Sequence, residues 1–209
     1  ALGRARGETR ADVGRVAANT TIDRDKVARA DEQSLLCATA IAALDRSLAG
    51  AGILVGSALA TLELNQRYYQ RILERGPTAA EPSLFPPTSP NLIPGQVAIF
   101  FGLTGPSAAL TSGPGHATDP LELACLLVGA GVCDRIVVAA YDVVGPISSL
   151  LRERCYPECS DLETGAVAAL VSCDPADGAA VDRDEVAALR AGFGHLGLLR
   201  ALRVLLPNG

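Results

Sequence analysis

The stretch GPSAALTSGPGHATDPLELA, residues 105–124, decides the fold. An uncharged strand-like run, SAALTS (107–112), enters a Gly-Pro-Gly-His turn, and a helix is predicted from Thr118 to about Gly129. Strand, tight glycine turn and helix form the unit on which many α/β enzymes carry a nucleophile. The same alternation continues on both sides. Upstream, Asp31 begins a helix whose Leu35, Leu36, Ile41, Leu44 and Leu48 gather on one side and which closes at Gly50. AGILVGSA (51–58) reads as a strand buried on both faces, and a helix from about Leu59 to Arg75 follows, ended by Gly76-Pro77. Downstream come the strand DRIVVAAYD (134–142), a short helix near 147–154 and the strand GAVAALVS (165–172). GQVAIFFGL (95–103) satisfies the pattern of a strand and of a short helix equally. Together these predict a layered α/β fold, a mainly parallel sheet with helices on both faces.

Composition narrows the function classes. A net charge of −5 and a pI near 5.1 give no positive footprint for a phosphate backbone, so nucleic acid is not an expected ligand. Lys26 is the only lysine and lies in a polar stretch, which argues against chemistry needing a buried amine. The six cysteines, Cys37, Cys125, Cys133, Cys155, Cys159 and Cys173, form no Cys-x-x-Cys pair, and Cys155 and Cys159 come nearest at a spacing of four. Half-buried thiols in a reducing compartment fit this pattern better than metal ligands do, so no metal and no cofactor are expected. The first residues, ALGRARGETRADVGRV, lack an apolar core of signal-peptide length, and no apolar run spans a bilayer. The expectation is a cytoplasmic protein that does not engage a membrane.

Residues 1–28, rich in Arg and Asp, are expected to be a polar N-terminal arm, residues 29–175 the main domain, and residues 176–209 a C-terminal helical segment. Six of the thirteen prolines fall within residues 77–94, which predicts a rigid loop of polyproline character acting as a lid or a partner-binding surface.

The run PNLIPGQVAIFFGLTGPSAALTS (90–112) resembles the N-terminal domain of the β-ketoacyl synthases of fatty acid and polyketide assembly. Pro-Asn, Gly-Gln and Phe-Gly-Leu-x-Gly-Pro stand in that family's order before a strand that delivers a cysteine. GILVGSALATLELNQRYYQRILERGP and ACLLVGAGVCDRIVVAAYD extend the likeness over about residues 29–175. The resemblance implies a layered thiolase-like half, truncated relative to a full ketosynthase.

Counted from Gly105-Pro106, the family's cysteine position falls on Pro114, and none of the six cysteines lies in the turn. Proline brings neither a thiol nor an N–H, so both the nucleophile and a backbone oxyanion donor are lost. Gly113, Pro114 and Gly115 therefore read as a degenerate nucleophile elbow. The family's two histidines come from its second half, and FGHLGLLRALRVLLPNG (193–209) offers only Gly194-His195 at a matching place. An amphipathic C-terminal helix that happens to begin with Gly-His accounts for it better. Ser112, His116 and Asp119 crowd one turn, whereas triad members converge from separate loops; His116 reads as an exposed turn residue and Thr118 or Asp119 as a helix cap. Tyr141-Asp142, at a strand's C-terminal end, is an interaction candidate or a satisfied polar strand end.

The resemblance thus implies a non-catalytic ketosynthase-like subunit, similar in role to chain length factors, that pairs with an active ketosynthase and engages an acyl carrier protein. The alternative is an acyltransferase or thioesterase reusing the acyl pocket with Ser112. In thiolase-like proteins the strand before the nucleophile lies at a sheet edge and pairs with its counterpart, which implies a homodimer or heterodimer interface at Ala108, Ala109, Leu110 and Thr111. Their uncharged, small side chains suit it.

Overall fold

The computed structural model describes residues 6–8, 10–111, 113, 118–157 and 163–177, together with Leu198, Leu202 and Leu205. Its centre is a five-stranded sheet of β1 (Arg6–Glu8), β2 (Gly52–Gly56), β3 (Ser107–Leu110), β4 (Arg135–Asp142) and β5 (Gly165–Ser172), in the order β1-β5-β4-β2-β3. β2 pairs parallel with both β3 and β4, while β5 pairs antiparallel with β4 and with β1. Four strands therefore share one direction and β5 alone opposes them, which agrees with a mainly parallel sheet.

Side chains of a strand alternate between faces, and here each face has its own core. Val137, Ala139 and Tyr141 of β4 join Ala166, Ala168 and Leu170 of β5 on one side; Ile136, Val138 and Ala140 join Val167, Ala169 and Val171 on the other. The first face is covered by α3 (Glu32–Ala42) and α5 (Leu92–Phe101), the second by α6 (Asp119–Gly129). Leu198, Leu202 and Leu205 are helical, spaced for one helix face, and pack on the second core, Leu198 and Leu202 fully buried. All ten residues of α3 after Glu32 are buried, as a helix clamped between a sheet and a second helix requires. Asp31 caps it, accepting from the Ser34 N–H at 2.9 Å and the Ser34 hydroxyl at 2.6 Å.

The N-terminal stretch departs from the arm expected of it. It contains α1 (Val13–Ala18) and α2 (Arg24–Ala28), and β1 extends the sheet. Val16 and Val27 are fully buried in the first core, and the Asp12 N–H donates to Thr39 Oγ1 of α3 at 2.8 Å. Two apolar anchors among many charges suffice, because burying one valine side chain is worth about 1.5–3 kcal/mol. The helix expected to run to Gly50 ends at Ala42, and Asp45 takes a left-handed φ of 51°. The ambiguous 95–103 segment is helical, with Ile93, Val97 and Phe100 at i, i+4 and i+7 facing the core. The proline-rich loop is not polyproline: it folds into three 3-10 turns, Pro77–Ala79, Pro82–Leu84 and Pro86–Thr88, each begun by a proline. The fixed φ of proline and its missing N–H both suit the first position of a helical turn.

Candidate functional site

The parallel strands β2, β3 and β4 end at the same side of the sheet, where α/β folds place ligands. Ser57 follows β2, and its N–H donates to the Leu110 carbonyl at the end of β3 at 3.2 Å. Asp142 ends β4 with 1% of its surface exposed, and its Oδ1 accepts from the Ser57 hydroxyl at 3.2 Å and the Ala58 N–H at 3.1 Å. Ser57 Oγ in turn accepts from the Ala60 N–H at 2.8 Å. This carboxylate thus holds the turn between β2 and α4 (Leu62–Arg75). Tyr141 is equally buried, on the α3 side. Burial first, then the neighbouring Cys37, push its phenol well above the usual value, while Ser57 pulls the other way. Burial also drives the Cys37 thiol well up, with Asp31 and Asp142 adding to the shift. Tyr141 and Asp142 are thus buried at this strand end, not an exposed surface, and the Tyr141 hydroxyl finds no hydrogen-bond partner among the described residues.

A second buried carboxylate lies beside them, one that the sequence reading did not single out. Glu63, in the first turn of α4, is 2% exposed, and its Oε1 accepts from the Ser148 N–H at 2.7 Å and the Ser148 hydroxyl at 2.6 Å. Ser148 is the third residue of α7 (Pro146–Cys155), whose N-cap is Gly145. The Gly145 N–H donates to Ser148 Oγ at 2.8 Å, which is half of a capping box. Glycine has no side chain to supply the other half, and Glu63 supplies it from another helix. A Cβ on Gly145 would run into the Glu63 carboxylate, so the two residues require each other.

β3 forms the open edge of the sheet. Ala108, Ala109 and Leu110 are half-buried, Thr111 is exposed, and one side of the strand has no partner strand among the described residues. Ile99 on α5, 67% exposed, and Leu126 on α6, 43% exposed, are apolar residues of the helices that precede and follow it in the chain. Gly113 takes a left-handed φ of 82° just after the strand. Ser112, Pro114, Gly115 and His116 lie outside the described residues, as does His195. Thr118 is the N-cap of α6, as expected. Beyond α4, a cleft of about 720 Å³ opens against the 3-10 turns, lined by Leu64, Tyr68, Leu84 and Pro86 and rimmed by Arg67 and Arg71. Tyr68 packs on Phe85 at 6.0 Å between ring centres, and Arg71 pairs with Glu81. The proline-rich segment is therefore a wall of this cleft.

Among the described residues no group of His, Cys, Asp and Glu is placed to hold a metal, and no helix is long and apolar enough to cross a membrane. Residues 17–156 match the family described as Beta-ketoacyl synthase, N-terminal domain. The chain belongs to the β-ketoacyl synthase family. The 3-oxoacyl-[acyl-carrier-protein] synthase 2 of Vibrio cholerae is 29% identical over 93 residues, which cover 44% of this chain and 22% of that enzyme. The enzyme of the same name from Vibrio harveyi is 31% identical over 93 residues, with the same coverage. The match thus spans about a fifth of these curated relatives. Among solved structures, a ketosynthase in complex with its chain length factor from Xenorhabdus doucetiae superposes with a TM-score of 0.63 at 16% identity, covering 82% of this chain and 78% of that one. The ishigamide ketosynthase/chain length factor gives a TM-score of 0.58 at 18% identity, covering 71% and 46%. The sheet and its helices are a thiolase-like half-domain.

Proposed function

We propose that this chain is a non-catalytic ketosynthase-like subunit that pairs, through the open edge of β3, with a second copy or with an active ketosynthase in fatty acid or polyketide assembly. The feature that carries it is Pro114, which, counted from Gly105-Pro106, stands where the resemblance puts the family's cysteine, in a turn that holds no cysteine. A strand that is uncharged and stands last in the sheet, with no partner on its outer edge among the described residues, supports pairing, because such an edge left bare invites aggregation. An acyl carrier protein is the second partner of this reading, and the cytoplasm its location. Relatives that superpose on this fold are solved as ketosynthase/chain length factor pairs, which supports the same role.

Incubating the pure chain with an acyl-carrier thioester and recording intact mass separates this role from the Ser112-dependent one. No acyl adduct is expected, whereas an adduct mapping to Ser112 overturns the non-catalytic reading. Pro114→Cys in these 209 residues alone is expected not to create condensation of acyl and malonyl thioesters, because the family resemblance places the two decarboxylating histidines in a second half of the fold, of which these residues offer only Gly194-His195. Measurable condensation by that variant would show that the chain holds the remaining machinery.

A further inference from the structure

The end of the sheet remote from this site carries two cysteines that the proposed function leaves unused. β4 and β5 pair in antiparallel register with Arg135 opposite Ser172, and the Cys173 N–H donates to the Asp134 carbonyl at 3.0 Å, which carries the ladder one pair further. Cys173 thus stands opposite Asp134, and Cys133 is one step along the chain. A cross-strand pair spans about 4.5–5.5 Å between Cα atoms, and one residue's offset brings the diagonal to about 6 Å, inside the range a disulfide bridges.

Facing decides whether the thiols can meet. In β5 the odd residues Val167, Ala169 and Val171 point to the α6 side, so alternation sends Cys173 there too. Strict alternation from Ile136 and Val138 would send Cys133 to the opposite side. Cys133 nevertheless packs against the α6-side core, because it precedes the first strand residue, Arg135, and the chain has turned. Both cysteines are free, Cys173 exposed and Cys133 partly so.

We propose that Cys133 and Cys173 are a dithiol that closes to a disulfide across the β4–β5 end of the sheet when the protein meets a low-molecular-weight disulfide such as oxidised glutathione. Cys173, the exposed thiol, gives up its proton and attacks one glutathione sulfur, releasing one glutathione and leaving a mixed disulfide. Cys133 then attacks the Cys173 sulfur, forming the protein disulfide and releasing the second glutathione. The protein loses two electrons and two protons, and both pass to the glutathione pair. Burial and the adjacent Asp134 hold the Cys133 thiol above its usual value, in keeping with its following rather than leading. In a reducing cytosol the pair stays open, and it closes under oxidative load. The staple lies at the far end of the strands from Asp142 and away from the β3 edge, so closing it leaves pairing through β3 intact.

The test treats the reduced chain with oxidised glutathione, cleaves it before aspartate without reductant, and sequences the joined peptides by tandem mass spectrometry. Residues 119–133 joined to residues 161–173, with the bond at Cys133 rather than Cys125, and two hydrogens lost from the intact mass, are expected. Cys133→Ser is expected to keep one glutathione on Cys173 instead. A wild-type Cys173 that stays glutathionylated, stays free, or joins Cys125, Cys155 or Cys159 would overturn the proposal. Oxidised wild type is also expected to melt at least about 5 °C above the reduced form, since the bond closes a long loop without moving the strands. A lower melting temperature on oxidation would mean that the bond distorts them and is not built into the fold.

Discussion

Gly145 and Glu63 offer a test of how the α4 and α7 helices are joined. Gly145 has φ −146° and ψ −165°, extended backbone that alanine adopts freely, so Gly145→Ala brings no conformational strain. Its cost comes from the methyl meeting the Glu63 carboxylate, and overpacking of that kind costs about 1–3 kcal/mol. Alanine is also a poorer N-cap than glycine, by up to about 1 kcal/mol. Glu63→Ala removes the acceptor of the Ser148 N–H and hydroxyl. The hydroxyl can turn to the Gly145 carbonyl at 3.1 Å, so the net loss is about one charged hydrogen bond, roughly 1.5–3 kcal/mol. In the double variant the new methyl occupies space that the carboxylate has left. The clash then vanishes while the capping penalty, present in both backgrounds, cancels from the cycle. The two changes together should cost about 2 kcal/mol less than the sum of the separate costs. Urea unfolding of the four proteins, compared at constant m, measures this. Additivity within about 0.5 kcal/mol would refute the claim that Gly145 is glycine because Glu63 fills the site of its side chain.

Other consequences follow from the same buried groups. Asp142→Ala leaves the Ala58 N–H and the Ser57 hydroxyl without their acceptor and should cost about 2–4 kcal/mol, while Asp142→Asn, which keeps an acceptor oxygen, should cost less than half of that; equal costs in urea unfolding would contradict the assigned hydrogen bonds. Cys37, Cys133 and Tyr141 all have raised values in the fold, so the fold keeps them neutral where the unfolded chain ionises. The contribution of the deeply buried Cys37 and Tyr141 is complete below their unfolded values, about pH 8.5 and about pH 10, and is lost as pH rises toward the folded values, at up to about 1.4 kcal/mol per pH unit for each; the partly exposed Cys133 adds less because solvent screens it. Denaturation midpoints should therefore fall from about pH 8.5 upward, and Cys37→Ala should flatten that fall by about one proton; midpoints independent of pH would contradict it.

Much of this fold is legible because its strands are buried on both faces. Continuous apolar runs such as GILVG and GAVAALVS announce themselves, and Gly76-Pro77 and Thr118 mark helix ends where the structure has them. The segment around α5 was ambiguous for the same reason: a helix apolar nearly all round has no periodicity to read. The N-terminal helices were hidden because Val16 and Val27 are single anchors in charged surroundings, and composition weighs the charges more heavily. The prolines that open the 3-10 turns are a local signal, whereas the packing of the first and third turns against α4 is tertiary and leaves no mark on the loop's own sequence. The Glu63 and Ser148 pair, 85 residues apart, was invisible because an acidic residue at a helix start already has a local explanation in the helix dipole. The family resemblance implies an edge position for β3, and among the described strands it does stand last in the sheet.

Sedimentation velocity of the wild-type chain and of Leu110→Lys, each alone and mixed with a ketosynthase from the same host, tests the proposed role most directly. Leu110 lies at the end of the open edge strand, half-buried, and a lysine there sets an unpaired charge against any partner strand, weakening association by about 2–4 kcal/mol. Circular dichroism of the variant checks that the fold is retained. The account predicts that wild type sediments as a dimer, by itself or with the ketosynthase, at micromolar concentration, and that folded Leu110→Lys sediments as a monomer. A wild-type chain that remains monomeric at that concentration in both experiments would contradict it.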